Sequence, residues 1–240
     1  MSIDRLKEYL KDSGNIVFFG GAGVSTASNI PDFRSAEGLY GSSQEHYSPE
    51  VILSHDFFIA NTEEFYRFYR EKMIYKDALP NDAHIALAML EKAGKLRAVI
   101  TQNIDNLHQA AGSVNVLELH GSVYRNRCMK CNKFYGIDAV LKSKKIPLCS
   151  CGGIIKPEVV LYQESLDTKV LRDAIRYISE ADVLIVGGTS LTVYPAAGLA
   201  TYYKKNKLIL INKTPTSYDS MADLVIYGNI AEIMRKAVME

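Results

Sequence analysis

The sequence predicts an α/β protein: a doubly wound parallel sheet with a second, smaller domain formed by insertions. Three observations carry this. Short runs that are apolar at every position recur along the chain, as strands buried on both faces of a parallel sheet require. Helical periodicities lie between several of these runs, giving the strand–helix alternation of such folds. Two long segments break that rhythm, and one of them holds all four cysteines.

The first element, near residues 2–11, places Ile3, Leu6 and Leu10 at helical spacing, with Gly14 as a stop. Ile16-Val17-Phe18-Phe19 is the first buried strand and runs into Gly20-Gly21-Ala22-Gly23. Further strands are expected at 98–101, 116–119, 183–187 and 208–212, and helices at 84–92, 169–180 and 195–204. The aromatic-rich stretch 35–78 and the cysteine-bearing stretch 124–156 are the two that do not fit. The large domain is therefore expected over about 1–34, 79–122 and 157–240. The small one takes 35–78, a helical insertion, and 123–156, a metal module.

Composition narrows the class. The 240 residues are 48% hydrophobic and 23% charged, ordinary values for a globular protein. Twenty-eight basic against 27 acidic residues give a formal charge of +1, which offers no bulk attraction to nucleic acid. Apolar stretches reach only about ten residues, half a membrane span. The N-terminus lacks the basic-then-apolar pattern of a secretory signal. A cytoplasmic location is expected, with neither membrane nor direct nucleic-acid partners.

Cys128, Cys131, Cys149 and Cys151 form two close pairs separated by 17 residues. Two tetrahedral zinc ligands on one knuckle need a short spacer, and a hairpin-sized excursion brings the second pair back. Disulfides or buried free thiols are the alternatives, the former disfavoured in a reducing compartment. Cys149-Ser150-Cys151 has a single spacer residue, which leaves the fourth ligand open, although Gly152-Gly153 could supply the turn. With four protein ligands the zinc would hold shape without taking part in chemistry.

Four polar clusters follow apolar runs, where ligands sit in open α/β sheets. The glycine turn 20–23, with Val24-Ser25-Thr26, could let the backbone approach a diphosphate. The dinucleotide fingerprint is not met, because Thr26 stands where the third glycine belongs. An ordinary tight turn is the alternative. Thr101-Gln102-Asn103-Ile104-Asp105 offers amides and a carboxylate for hydroxyls and a carboxamide, or simply a helix cap. His120-Gly121 places one imidazole at a strand end. His46 and His55 fall in the aromatic insertion, His84 begins a helix, and His108 lies in a helical turn. Gly187-Gly188-Thr189-Ser190 and Asn212 suggest a second phosphate or ribose contact. Ile30-Pro31-Asp32-Phe33-Arg34 is a proline-stiffened loop able to cover a ligand.

Taken in order and spacing, GAGVS, IPDFR, TQNID, HG, the two cysteine pairs, GTSL and Asn212 resemble the sirtuin family of NAD-dependent protein deacylases. The likeness covers nearly the whole chain. It implies a Rossmann-like large domain, one structural zinc, and NAD consumed as a co-substrate in the cleft between domains. Acetyl groups would leave protein lysines, yielding nicotinamide, free lysine and O-acetyl-ADP-ribose. By this resemblance His120 is the base toward a ribose hydroxyl, and Asn103 orders ribose and water. Asp105 and Ile104 hold the nicotinamide carboxamide, and Phe33 and Arg34 cover the reactive ribose. Ala22, Thr26, Gln102, Thr189, Ser190, Asn212 and Ile230 line the dinucleotide.

The resemblance also implies that residues 159–164 and the loop near Val193 pair with an acetylated peptide as added strands. Val160, Tyr162 and Phe33 would line the lysine channel. Here the chain departs from the family, reading Tyr162-Gln163-Glu164 where Phe-Gly-Glu is usual. On the succinyl-removing members' Tyr-x-x-Arg pair, Tyr66 matches the tyrosine but Tyr69 replaces the arginine, which implies neutral acyl groups. Two rival functions remain: a mono-ADP-ribosyltransferase using the same site, and a zinc-ribbon nucleic-acid module. The broken glycine fingerprint disfavours a redox dehydrogenase.

Overall fold

The computed structural model describes residues 2–33, 38 and 47–240. The chain opens with helix α1 (Ser2–Lys11) and strand β1 (Ile16–Gly20). Helices α2 (Pro49–Ile52), α3 (His55–Ala60) and α4 (Thr62–Lys72) then precede α5 (Asp82–Lys92) and β2 (Leu96–Thr101). After α6 (Leu107–Ala110) come β3 (Val116–Glu118), β4 (Gly121–Cys128), β5 (Phe134–Tyr135), α7 (Asp138–Leu141) and β6 (Ile155–Val159). The last third holds α8 (Thr168–Glu180), β7 (Val183–Gly187), β8 (Leu208–Asn212), β9 (Leu224–Tyr227) and α9 (Ile230–Val238).

Six strands form a parallel sheet in the order β3-β2-β1-β7-β8-β9. From β1 the chain winds outward through β2 and β3, then returns to build β7, β8 and β9 on the other side. The reversal lies between β1 and β7, the place where such sheets open a crevice. Every residue of β1, β7 and β8 is buried, which explains their uninterrupted apolar runs. Alternation distributes the side chains: Ile16 and Phe18 join a core with α1, α5 and α9, whereas Val17 and Phe19 join one with α8.

The second sheet is antiparallel, ordered β5-β4-β6. An aromatic core lies beneath it, built by Phe57 and Phe58 of α3 and Phe65, Tyr66, Phe68 and Tyr69 of α4 against Val123, Val159 and Leu161. The rings interlock, with Phe58 edge-on to Phe65 at 4.9 Å and Phe65 stacked on Tyr69 at 5.4 Å. Tyr66 donates its hydroxyl to the Ile155 carbonyl and so fastens α4 to β6.

Several elements differ from expectation. The helix expected at 195–204 is a 3-10 segment, Ala196–Tyr202, in which Gly198 N–H reaches the Pro195 carbonyl three residues back. Strand β9 was not expected. It is short and half buried, although its run Leu224-Val225-Ile226-Tyr227 is apolar throughout; helix α9 was likewise not expected.

Candidate active site

A cleft of about 620 Å³ runs between the two sheets, over the carboxyl ends of β1, β2, β7 and β8. The loops after β1 and β7 cross in close contact: Gly23 N–H donates to the Gly188 carbonyl at 2.8 Å. Ala22 and Thr26 face the cleft, and Thr26 Oγ1 donates to the Gly23 carbonyl at 3.1 Å. Phe33 also lines it and packs against the aromatic core. Arg34 and His46 lie outside the described residues.

The segment after β2 is held from three sides. Gln102 N–H donates to the Gly20 carbonyl at 3.0 Å, and the Ile104 carbonyl accepts from Val123 N–H at 3.1 Å. Asn103 N–H is satisfied by Thr101 Oγ1 at 3.0 Å. Ser25 joins the functional groups: it donates to Asp105 Oδ2 at 2.6 Å and accepts from Asn103 Nδ2 at 3.0 Å. Burial raises the Asp105 carboxyl above its ordinary value, opposed by the Ser25 hydroxyl and the Leu107 N–H.

His120 stands between β3 and β4. Its Nδ1 lies 2.9 Å from the Gln102 carbonyl oxygen, and its own carbonyl accepts from Val160 N–H at 3.0 Å. Burial lowers the imidazole below its ordinary value, and the Gln102 contact partly opposes this. Gly121 adopts φ +75°, and a Cβ there would collide with the Glu158 carbonyl, which accounts for the His-Gly pair.

Gln102 Nε2 donates to Thr189 Oγ1 at 3.0 Å, and Thr189 N–H donates to Asn212 Oδ1 at 2.9 Å. With its oxygen committed, Asn212 is left with a buried Nδ2 that has no partner in a residue lining the cleft. Such an orphan fits a polar ligand better than an empty wall. Ser190 and Ile230 line the same end. Hydroxyl and amide groups at one end and the buried Ser25–Asn103–Asp105 set at the other fit a dinucleotide. On the remaining side stand Val160, Tyr162 and Val193.

The cysteine sulfurs lie within 4.8 Å of one another, with Cys128 to Cys151 and Cys131 to Cys149 both 3.5 Å apart and no disulfide. Four thiolates about 2.3 Å from a tetrahedral zinc need sulfur separations of this order. Cys151 is therefore a member despite its short spacer. Gly152, at φ +79°, turns the chain, and Cys149 N–H closes the turn on the Gly153 carbonyl at 2.8 Å. Outer contacts favour thiolates: Lys130 and Cys131 N–H groups point at the Cys128 sulfur, and the Tyr135 hydroxyl at that of Cys149. The cluster can hold one zinc ion.

The Sir2 family profile matches residues 21–195, spanning both sides of the cleft and the cysteine module. The chain belongs to the Sir2 family. An NAD-dependent protein deacetylase of Clostridium tetani is 62% identical over 238 residues, 98% of this chain and 96% of that protein. One from Cutibacterium acnes is 49% identical over the full length of both. A structure of Sir2 with a deacetylated p53 peptide and 3′-O-acetyl ADP ribose has a TM-score of 0.91 at 40% identity, covering 100% of this chain and 98% of that one. Sir2 with p53 peptide and NAD+ gives 0.86 at 40% identity with the same coverage.

Two readings of this Sir2 chain change with the geometry. Ser25 was not singled out, although it lies inside the GAGVS motif; a lone serine after a glycine turn carries no signal until the fold brings Asp105 to it. Tyr66 and Tyr69 do not line the cleft. Both are 0% exposed in the aromatic core, and Lys72, Met73 and Tyr75 from the following residues face the cleft instead. The expectation of neutral acyl groups rested on those two positions and does not follow from them.

Proposed function

We propose that this Sir2 protein is an NAD-dependent protein deacetylase that takes acetyl groups from lysines of proteins or peptides and transfers them to ADP-ribose. The observation that carries the reading is the His120 imidazole, held against the Gln102 carbonyl at the middle of the cleft. NAD, when bound, supplies a ribose carbon activated by the departure of nicotinamide. Asp105 and Ile104 hold the carboxamide at the buried end, and Asn103 orders the ribose. The free Nε2 of His120 accepts the proton of a ribose hydroxyl, a base near neutrality being suited to this task. Ala22, Thr26, Gln102, Thr189, Ser190, Asn212 and Ile230 hold the rest of the dinucleotide, with Phe33 and Arg34 over the ribose.

Val160, Tyr162 and Val193 receive the acetyl-lysine and its flanking backbone, which adds to an existing edge by main-chain hydrogen bonds. The large domain takes about 1–34, 79–122 and 157–240, and the small one 35–78 and 123–156. Zinc on the four cysteines fixes the hairpin of the small domain. A cytoplasmic location belongs to this reading, since a reducing compartment keeps the four thiols available. No helix among the described residues is long and apolar enough to cross a membrane.

Labelled NAD tests the reaction class. Incubation with an acetylated protein should place the label in free O-acetyl-ADP-ribose. Label retained on protein would identify an ADP-ribosyltransferase instead.

A further inference from the structure

Position 163 departs from the glycine of the Sir2 pattern, yet its backbone keeps the conformation that glycine favours, with φ +75°. A side chain is disfavoured in that region, and here the carboxamide makes two compensating contacts. Gln163 Oε1 accepts from Asp56 N–H at 3.0 Å, and its Nε2 donates to Asp56 Oδ2, also at 3.0 Å. Asp56 is the second residue of α3, where first-turn N–H groups have no acceptor inside the helix. Each is taken up from outside that ladder. His55 N–H donates to the Tyr162 carbonyl at 3.0 Å, and Phe57 N–H to Ser54 Oγ at 3.2 Å. Asp56 N–H is left to Gln163.

Residues 160–164 are thus laced to the small domain. Tyr162 N–H donates back to the Leu53 carbonyl at 3.0 Å, and Glu164 Oε1 meets His55 Nδ1 at 3.0 Å. At the other end, Val160 is tied to His120. We propose that Gln163 is a positioning residue for the substrate peptide, acting through Asp56 to hold the edge at 160–164 in the geometry that pairs with the peptide backbone. This rests on the deacetylase reading, in which that edge receives the peptide. An edge that must be ordered on binding weakens the complex by its ordering entropy. The effect should therefore fall on peptide affinity, leaving NAD binding and the chemical step alone.

Glycine accepts the positive φ, so Q163G removes the carboxamide without straining the backbone. Q163E keeps an acceptor for Asp56 N–H but sets two carboxylates together. Adding D56N should repair it, because an amide can donate to the new carboxylate. In steady-state assays on one acetyl-lysine peptide, Q163G, which loses two exposed hydrogen bonds, should raise the peptide KM about tenfold, and Q163E, which keeps one of them but sets two carboxylates together, should raise it as well. The KM for NAD, kcat and melting temperature should hardly move, and Q163E/D56N should return to near the wild-type peptide KM. Calorimetric titration of the same peptide should show the same loss and reads Gln163 independently of turnover; wild-type turnover with NAD tests the deacetylase reading separately. An unchanged peptide affinity in Q163G overturns the proposal. So does a Q163E defect that D56N leaves unrepaired, or a loss that comes with weaker NAD binding and a lower melting temperature.

Discussion

His120 Nδ1 lies 2.9 Å from the main-chain carbonyl oxygen of Gln102. A carbonyl only accepts, so Nδ1 carries the proton and Nε2 keeps its lone pair. The same contact links the base to the loop that places Asn103 and Asp105, so tautomer and position are set together. His120→Ala should retain fold and metal content while deacetylation falls about 10²–10⁴-fold, the range of general-base catalysis. Burial disfavours the imidazolium and lowers the pKa below the ordinary value. The active neutral form then persists to lower pH than in a free imidazole, and the acid limb of the rate profile should lie below about pH 6.5. An acid limb above that value would contradict this environment.

Ser25 bridges buried Asn103 and half-buried Asp105. Ser25→Ala takes a donor from the Asp105 carboxylate and an acceptor from the Asn103 amide, and a lost bond to a poorly solvated polar group costs about 1–3 kcal/mol. NAD binding should weaken by about tenfold or more, with peptide binding little changed. Calorimetry with each ligand separately checks this, and equal losses for both would show a general collapse of the cleft.

Zinc removal should lower the melting temperature and abolish activity indirectly, because metal binding is coupled to the fold of its module. The Cys151 sulfur sits 3.5 Å from that of Cys128, so Cys151→Ala should lose metal as Cys128→Ala does. Metal content per chain by atomic emission decides it. Full retention with unchanged stability would mean another group completes the site.

His84 and His108 face each other inside the core, ring centroids 4.7 Å apart. His84 Nδ1 accepts from Asn81 N–H at the start of α5. Burial pushes His84 down to about 4, and burial together with His84 pushes His108 well below its ordinary value. Both pKa values lie below the unfolded value of about 6.5. Their stabilising contribution is thus complete above that pH and lost as pH falls toward the folded value. By about pH 5, His84 alone should account for about 2 kcal/mol. Melting temperatures measured from about pH 7.5 down to about pH 5 should fall more steeply in wild type than in His84→Gln. Parallel curves would rule out this source.

The sheet was legible because strands buried on both faces must be apolar throughout, as in Ile16-Val17-Phe18-Phe19 and Leu208-Ile209-Leu210-Ile211. Strand β9, Leu224-Val225-Ile226-Tyr227, is such a run as well, short and half buried, and was passed over. The strand order was not legible, since nothing local in Val116 or Val183 says which neighbour it pairs with. The cleft residues were found as motifs, but the bonds joining them were not. Ser25 to Asp105 and Gln163 to Asp56 span 80 and 107 positions, and only folding brings them together. Tyr66 and Tyr69 mark the opposite limit, where a motif match placed in the cleft two side chains that the aromatic core claims.

The most direct measurement follows an acetyl-lysine peptide with and without NAD, quantifying deacetylated peptide, nicotinamide and O-acetyl-ADP-ribose in one incubation. Equal amounts of all three, with none formed when NAD is omitted, is the expected result. Deacetylation without NAD, or release of free acetate in place of O-acetyl-ADP-ribose, would contradict it.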